Sequence, residues 1–268
     1  MSSPLFVAVG DLMVDIAAAG RGHAARIEIA AGGSAANAAV WAAACGADST
    51  VVGRIGDDFA GRALRSALEE RGVRAELTVD PDAPTGSFLA ADGAIRVDRG
   101  ANAQFRPEHL PERLGGDAVL VSGYLPRETV EAALGRAESD WVTLAPGFLD
   151  PLPSSADAVL VDEAEAQGLT GLDAEGAVRQ LGRTFRLACV TRGAAGAVAV
   201  LGGHLEEVAA PELDAARSVG AGDAFAAGLL VALASGAELR DALESACRRG
   251  AAAAASSEPW PVATGVAR

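Results

Sequence analysis

Ser218-Val219-Gly220-Ala221-Gly222-Asp223-Ala224-Phe225 sets two glycines and a carboxylate at the start of a helix of small residues. Backbone N–H groups at a helix opening have no intrahelical partner and carry partial positive charge, so such a turn can hold a phosphoryl group. Gly220, Ala221 and Gly222 supply those amides, and glycine lets the backbone come close to a ligand. Asp223 then stands where a carboxylate can accept a hydroxyl proton while the amides stabilise charge on a transferring group. The combination points to phosphoryl transfer to an alcohol. A plainer reading stands beside it, a tight turn whose helix Asp223 caps with its own side chain.

Outward from that turn the chain has an α/β rhythm. Short apolar runs at Phe6–Val9, Thr50–Ile55, Ala118–Ser122, Trp141–Leu144, Ala158–Val161, Ala188–Thr191 and Ala197–Leu201 alternate with amphipathic segments. The helical segments are placed at Ser34–Cys45, Asp58–Arg71, Glu128–Ala137 and Glu175–Arg183, with two alanine-rich helices after the glycine turn. Strands of this kind suit a buried, mostly parallel sheet. Two stretches break the rhythm, Ile16–Ala30 and Ala75–Arg99, and read as hairpin-like excursions. Ala31-Gly32-Gly33-Ser34-Ala35-Ala36-Asn37 is a second glycine turn entering a small-residue helix, about 185 residues before the first.

Composition narrows the function. The chain has 268 residues, half of them apolar, and a net charge of −14, which argues against a nucleic-acid partner. All 22 basic residues are arginine. Without lysine there is no Walker A loop and no Schiff base, so phosphate must be held by amides, arginine or metal. Cys45, Cys189 and Cys247 lie in apolar stretches and are expected as free thiols in a reducing cytoplasm. Neither an export signal nor a membrane-spanning run is expected. His23, His109 and His204 lack ligand spacing for zinc.

The two glycine turns, in this order and spacing, resemble the two signatures of the ribokinase-like (PfkB-type) carbohydrate kinases. Other stretches fall in the same order: Gly10-Asp11-Leu12-Met13-Val14-Asp15 looks like the family's first strand, and Gly56-Asp57-Asp58-Phe59-Ala60-Gly61 like its Gly-x-Asp-x-x-Gly turn. Asp162-Glu163-Ala164-Glu165 falls where the family has Asn-x-x-Glu, and Thr191-Arg192-Gly193-Ala194-Ala195-Gly196 resembles its Thr-x-Gly-x-x-Gly turn. The resemblance implies one ribokinase-like domain over residues 1–268, a three-layer α/β/α fold with a small β-sheet lid from segments about 16–30 and 75–100. It implies ATP-dependent phosphorylation of a hydroxyl of a small sugar, in the cytoplasm, with a possible homodimer through the lid.

Residue by residue, the resemblance implies Asp223 as general base with the Gly220, Ala221 and Gly222 amides as anion hole. Asp15, Gly32, Gly33 and Asn37 are implied as sugar contacts, with Tyr124 a specificity candidate. Thr191, Gly193, Gly196 and Ser218 fall to the nucleotide, and Asp162 and Glu165, one helical turn apart, to magnesium held largely through water. Asparagine is usual at position 162, so this pair could equally be a solvated acidic helix start. The family's last signature opens Asp-Thr, whereas this chain has Arg217-Ser218. A fixed guanidinium where relatives recruit potassium implies an activity that does not require that ion; Arg217 could also simply face solvent. The tail Ser256-Ser257-Glu258-Pro259-Trp260-Pro261 replaces a glycine-bearing loop and leaves nucleotide preference open. A nucleoside kinase of the same fold and a non-catalytic sugar- or nucleotide-binding derivative are the alternatives. A nicotinamide oxidoreductase fits less well, because the first strand lacks Gly-x-Gly-x-x-Gly.

Overall fold

The computed structural model describes residues 3–20, 22–91, 93–212, 220–256 and 260–261. In chain order the strands and helices are β1 (Leu5–Val9), β2 (Met13–Ala19), β3 (Arg26–Gly32), α1 (Ser34–Ala44), β4 (Asp48–Gly56), α2 (Phe59–Glu70), β5 (Arg74–Asp80), β6 (Gly86–Ala91) and β7 (Ala94–Asp98). There follow β8 (Leu114–Gly115), β9 (Ala118–Ser122), α3 (Arg127–Arg136), β10 (Ala137–Glu138), β11 (Trp141–Ala145), β12 (Ala158–Asp162), α4 (Glu163–Thr170) and α5 (Ala174–Leu181). The last are β13 (Leu187–Thr191), β14 (Ala197–Leu201), β15 (His204–Val208), α6 (Ala221–Ala234) and α7 (Leu239–Ala255).

A nine-stranded sheet runs β15-β14-β13-β12-β11-β9-β1-β4-β5. It is parallel from β5 through β13, and β14 and β15 add antiparallel. Side chains alternate between its faces as the two-residue period of a strand requires. Phe6 and Ala8 join a core with α1, α2, α6 and α7, whereas Val7 and Val9 join a second core with α3, α4 and α5. The result is three layers, helices on both faces of the sheet. No helix among the described residues is long and apolar enough to cross a membrane.

A separate four-stranded sheet, β3-β2-β6-β7, rises from the main one. It consists of two antiparallel hairpins joined by a parallel contact between β2 and β6. Not all of the second sequence excursion goes there: Arg74–Asp80 is the edge strand of the main sheet, parallel to β4. The crossover through α2 returns the chain parallel to β4, and the half-exposed side chains of an edge strand make its sequence read like part of a hairpin. Asp58 links the two sheets. Its carboxylate accepts from Gly61 N–H at 2.7 Å, capping α2, and from the Thr85 N–H and hydroxyl at 2.8 and 2.7 Å, just before β6. The Gly56–Gly61 turn is therefore a joint between the main sheet and the small one.

Candidate functional site

The site is built where β1, β2, α1 and α6 meet. After Val9 the chain leaves the main sheet, and Asn102 clips the crossing point: its amide accepts from Leu12 N–H at 3.0 Å and donates to the Leu12 carbonyl at 2.8 Å. On one side of that clip Asp11 is buried, accepting from Ser34 N–H at 3.2 Å and the Ser122 hydroxyl at 3.0 Å. On the other side Asp15 lies on β2. The returning strand β3 reaches α1 through Gly32 and Gly33, and Gly33 sits at φ +94°, which an L side chain rarely adopts. Gly32 is needed for space: a Cβ there would stand 2.3 Å from the Asp15 Oδ2.

Helix α6 opens at Gly220, in the left-handed region at φ +81°. Its own hydrogen-bond ladder begins with Ala224 N–H to the Gly220 carbonyl, so the amides of Ala221 and Gly222 precede it. A Cβ at Gly222 would meet nothing within 4 Å, so open space lies beside this residue. Asp223 does not cap the helix. It is the third helical residue, and its carboxylate accepts from the Ser34 hydroxyl at 2.7 Å and the Asn37 amide at 2.8 Å. Burial pushes its carboxyl up to about 7, against the Asn37 and Ser34 donors, and the negative charges of Asp11 and Asp15 push the same way. Asp11 is likewise raised by burial, opposed by its bonds to Ser34 and Ser122.

Two cavities flank this helix start. The smaller, about 160 Å³, is lined by Ser34, Tyr124, Asp162, Glu165, Gly222 and Asp223. The larger, about 440 Å³ and mostly apolar, is lined by Gly193, Gly196, Ala221, Cys247 and Ala251. Thr191, Gly222 and Phe225 line both, so the cavities adjoin at the opening of α6. Tyr124 lies edge-on to Phe148, ring centroids 5.5 Å apart. Burial and the nearby carboxylates of Glu165, Asp11, Asp223 and Asp162 push its phenol up to about 12.

Asp162 and Glu165 both line the smaller cavity, as two carboxylates one helical turn apart can, and each is also tied to the other's backbone. Asp162 is the N-cap of α4, accepting from Glu165 N–H at 2.7 Å, and Glu165 accepts from Asp162 N–H at 2.9 Å. This reciprocal box uses one oxygen of each carboxylate and leaves the other. Burial raises the Glu165 carboxyl, with Asp162 acting both ways, its N–H lowering and its charge raising it. Among the described residues no group of three or more His, Cys, Asp or Glu could enclose a metal. Two hard oxygens without a cage suit magnesium, which keeps waters and binds phosphates alongside one or two carboxylates.

Asn37, expected as a sugar contact, has both ends of its side-chain amide engaged within the protein. It is 4% exposed, with its amide nitrogen on Asp223 and its oxygen accepting from Trp260 Nε1 at 2.8 Å. Arg217 and Ser218 lie outside the described residues. Sequence reading missed Ser34, Asp11, Asn102 and Trp260 as parts of the site. Ser34 had a signal, its position on the glycine turn; the others depend on contacts across the fold.

Residues 3–260 match the model of the pfkB family carbohydrate kinases. The chain belongs to this family. It is 31% identical over 258 residues to the fructokinase of Klebsiella pneumoniae, covering 84% of this chain and 83% of that one. It is 30% identical over 233 residues to the ribokinase of Bacillus subtilis, covering 81% and 78%. In fold it matches the crystal structure of adenosine kinase from Sinorhizobium meliloti with a TM-score of 0.85 at 22% identity, covering 97% of both chains. This PfkB protein is thus a carbohydrate kinase, a phosphotransferase that uses ATP and a divalent metal to phosphorylate a hydroxyl of a small sugar.

The close approach at Gly32 gives a direct expectation. Gly32→Ala forces the Asp15 carboxylate aside, and a sugar held by that carboxylate would lose one charge-assisted bond, about 1.5–3 kcal/mol, so that its KM would rise about tenfold or more. The KM for ATP stays near its starting value. A coupled ADP-release assay with each substrate varied in turn checks this.

Proposed function

We propose that this PfkB kinase transfers the γ-phosphoryl group of ATP to a primary hydroxyl of a small sugar, with Asp223 as general base. The junction of the two cavities at Gly222 carries the reading. The larger apolar cavity suits a purine ring, and a triphosphate extending from it across Gly222 enters the smaller cavity against the Ala221 and Gly222 amides. The acceptor lies toward Asp15, whose carboxylate can accept two sugar hydroxyls. Its reacting oxygen bonds to the γ-phosphorus as the bond to the β–γ bridging oxygen breaks; the hydroxyl proton passes to Asp223 and ADP leaves. The amides of Ala221 and Gly222 stabilise the charge on the migrating group without having to reorient.

Asp162 and Glu165 would hold magnesium, which supplies charge neutralisation at the phosphates when bound. Thr191, Gly193 and Gly196, at the end of β13 and the turn after it, border the nucleotide path. Tyr124, on the wall of the smaller cavity, is the specificity candidate. Arg217 supports turnover without potassium. The free thiols of Cys45, Cys189 and Cys247 support a reducing cytoplasm as its setting.

The whole chain forms one functional unit in this reading, with the small sheet as lid and dimer surface. Registered neighbours share a face, so Asp15 stands with Ala30, Phe88 and Val97, while Ile16, Ile29 and Leu89, with Arg96 at the β7 end, form a row on the opposite face. Ile27 and Ile29 on that outer face are 63% and 69% exposed. An apolar face behind the sugar side, bounded by edge strands, suits a second copy of the chain. Sedimentation analysis is expected to show a dimer, and Ile29→Arg a monomer.

The base has a pH signature. A carboxylate raised to about 7 is protonated below that pH, so kcat rises with pH through about 7 and levels above it. Asp223→Asn lowers kcat by about 10²–10⁴ at an ATP KM near that of the unaltered protein, and abolishes the rise. ADP release over pentoses, hexoses, sugar acids and nucleosides, with and without potassium, checks both and names the acceptor. Equal rates for Asp223→Asn and the parent contradict the proposal.

A further inference from the structure

Beyond the residues that touch a substrate, Asp223 is the near end of a buried relay that runs out of the site. Its Oδ2 accepts from Asn37 Nδ2 at 2.8 Å, and Asn37 Oδ1 accepts from Trp260 Nε1 at 2.8 Å. An amide on one helix turn can rotate to present either end; here the indole N–H fixes the oxygen outward and so the nitrogen toward Asp223. Trp260 is 4% exposed and lies outside any helix or strand. What fixes it is Arg71, the C-cap of α2, whose guanidinium lies over the indole, 5.7 Å from its centroid. The same side chain donates from Nε to the Pro261 carbonyl at 3.2 Å. Arg71 thus grips the tail by both ring and backbone.

We propose that Trp260 is a positioning residue for phosphoryl transfer, orienting the Asn37 amide so that it donates to Asp223, with Arg71 as the clamp that seats it. The inference rests on the reading of Asp223 as base. Without the indole N–H, the Asn37 oxygen is a buried acceptor with no partner and the amide is no longer held in one orientation; turned, its oxygen is satisfied only by a protonated Asp223. A turned amide sets oxygen against the Asp223 carboxylate, removes a donor that favours its ionised form and leaves the base misplaced. The groups that face Asp223 are then Ser34 from α1, Asp15 from β2, Asp11 from the β1–β2 crossing, and Tyr124, Asp162 and Glu165 across the cavity. Apart from the Ser34 hydroxyl and the Tyr124 phenol they are carboxylates, so nothing charged replaces the lost donor.

Trp260→Phe keeps an aromatic ring for Arg71 and removes only the N–H. We expect kcat near pH 7 to fall about five- to tenfold, from loss of roughly 1 kcal/mol of hydrogen bonding, with the KM for ATP nearly unchanged. The rising limb of the pH–rate profile moves upward, so much of the loss is recovered at higher pH. A purely structural role would lower the thermal midpoint without moving that limb. Arg71→Met leaves the indole in place and loosens its clamp; it is expected to move the limb the same way by less, and reads the relay if Trp260→Phe does not fold. A folded Trp260→Phe with unchanged kcat and limb overturns the proposal, as does an unmoved limb in Arg71→Met where that variant alone folds. If Asp223→Asn is inactive in the same assay, that failure belongs to the relay alone; if it is fully active, the base assignment itself has failed.

Discussion

Two hydrogen bonds from the first turn of α1 to one carboxylate on the first turn of α6 organise this protein. Ser34 and Asn37 lie 189 and 186 residues from Asp223 in sequence, and they meet only because α1 and α6 pack side by side on one face of the nine-stranded sheet. That packing puts an acidic group beside amides that the ladder of α6 does not use, two features with opposite electrostatic demands. The amides favour negative charge near them. Burial and the neighbouring carboxylates disfavour it on Asp223, and the two donors stop the carboxyl from rising further. In the proposed mechanism this balance leaves a base that is ionised near neutral pH yet basic enough to take a proton.

The rest of the architecture serves that corner. Asn102 pins the crossing between β1 and β2, which separates Asp11 under α1 from Asp15 on the small sheet. Asp58 ties the start of α2 to Thr85 at the root of β6, so the small sheet is anchored to the main one at a defined point. The far end of α2 carries Arg71, which seats Trp260 beneath Asn37. One helix therefore touches the small sheet at its first residues and the support of Asp223 at its last.

What could be read from the sequence divides along a physical line. The glycine turns were legible because Gly33 and Gly220 occupy backbone angles, and Gly32 a gap, that other residues cannot fill. The α/β rhythm was legible because buried parallel strands need apolar runs on both faces, as Phe6–Val9 and Ala118–Ser122 show. The edge strand Arg74–Asp80 was assigned to the excursion because partial exposure weakens that pattern. Asp162 and Glu165 were legible as a pair able to face one side, and both line the smaller cavity; the capping box between them was not read, although a carboxylate ahead of a helix is drawn to its N–H groups. The contacts of Asn37 with Trp260 and of Trp260 with Arg71 had no local signature at all. They exist because Trp260 and Pro261 lie beside Asn37 and Arg71, 223 and 190 residues away in sequence.

The most direct test of the central claim is a crystal structure with a non-hydrolysable ATP analogue and magnesium. The account predicts the terminal phosphate within hydrogen-bonding distance of the Ala221 and Gly222 amides, the purine in the larger cavity, and the Asp223 carboxylate still held by Ser34 and Asn37 beside that phosphate. A terminal phosphate bound away from the opening of α6, with Asp223 out of reach of it, would contradict the account.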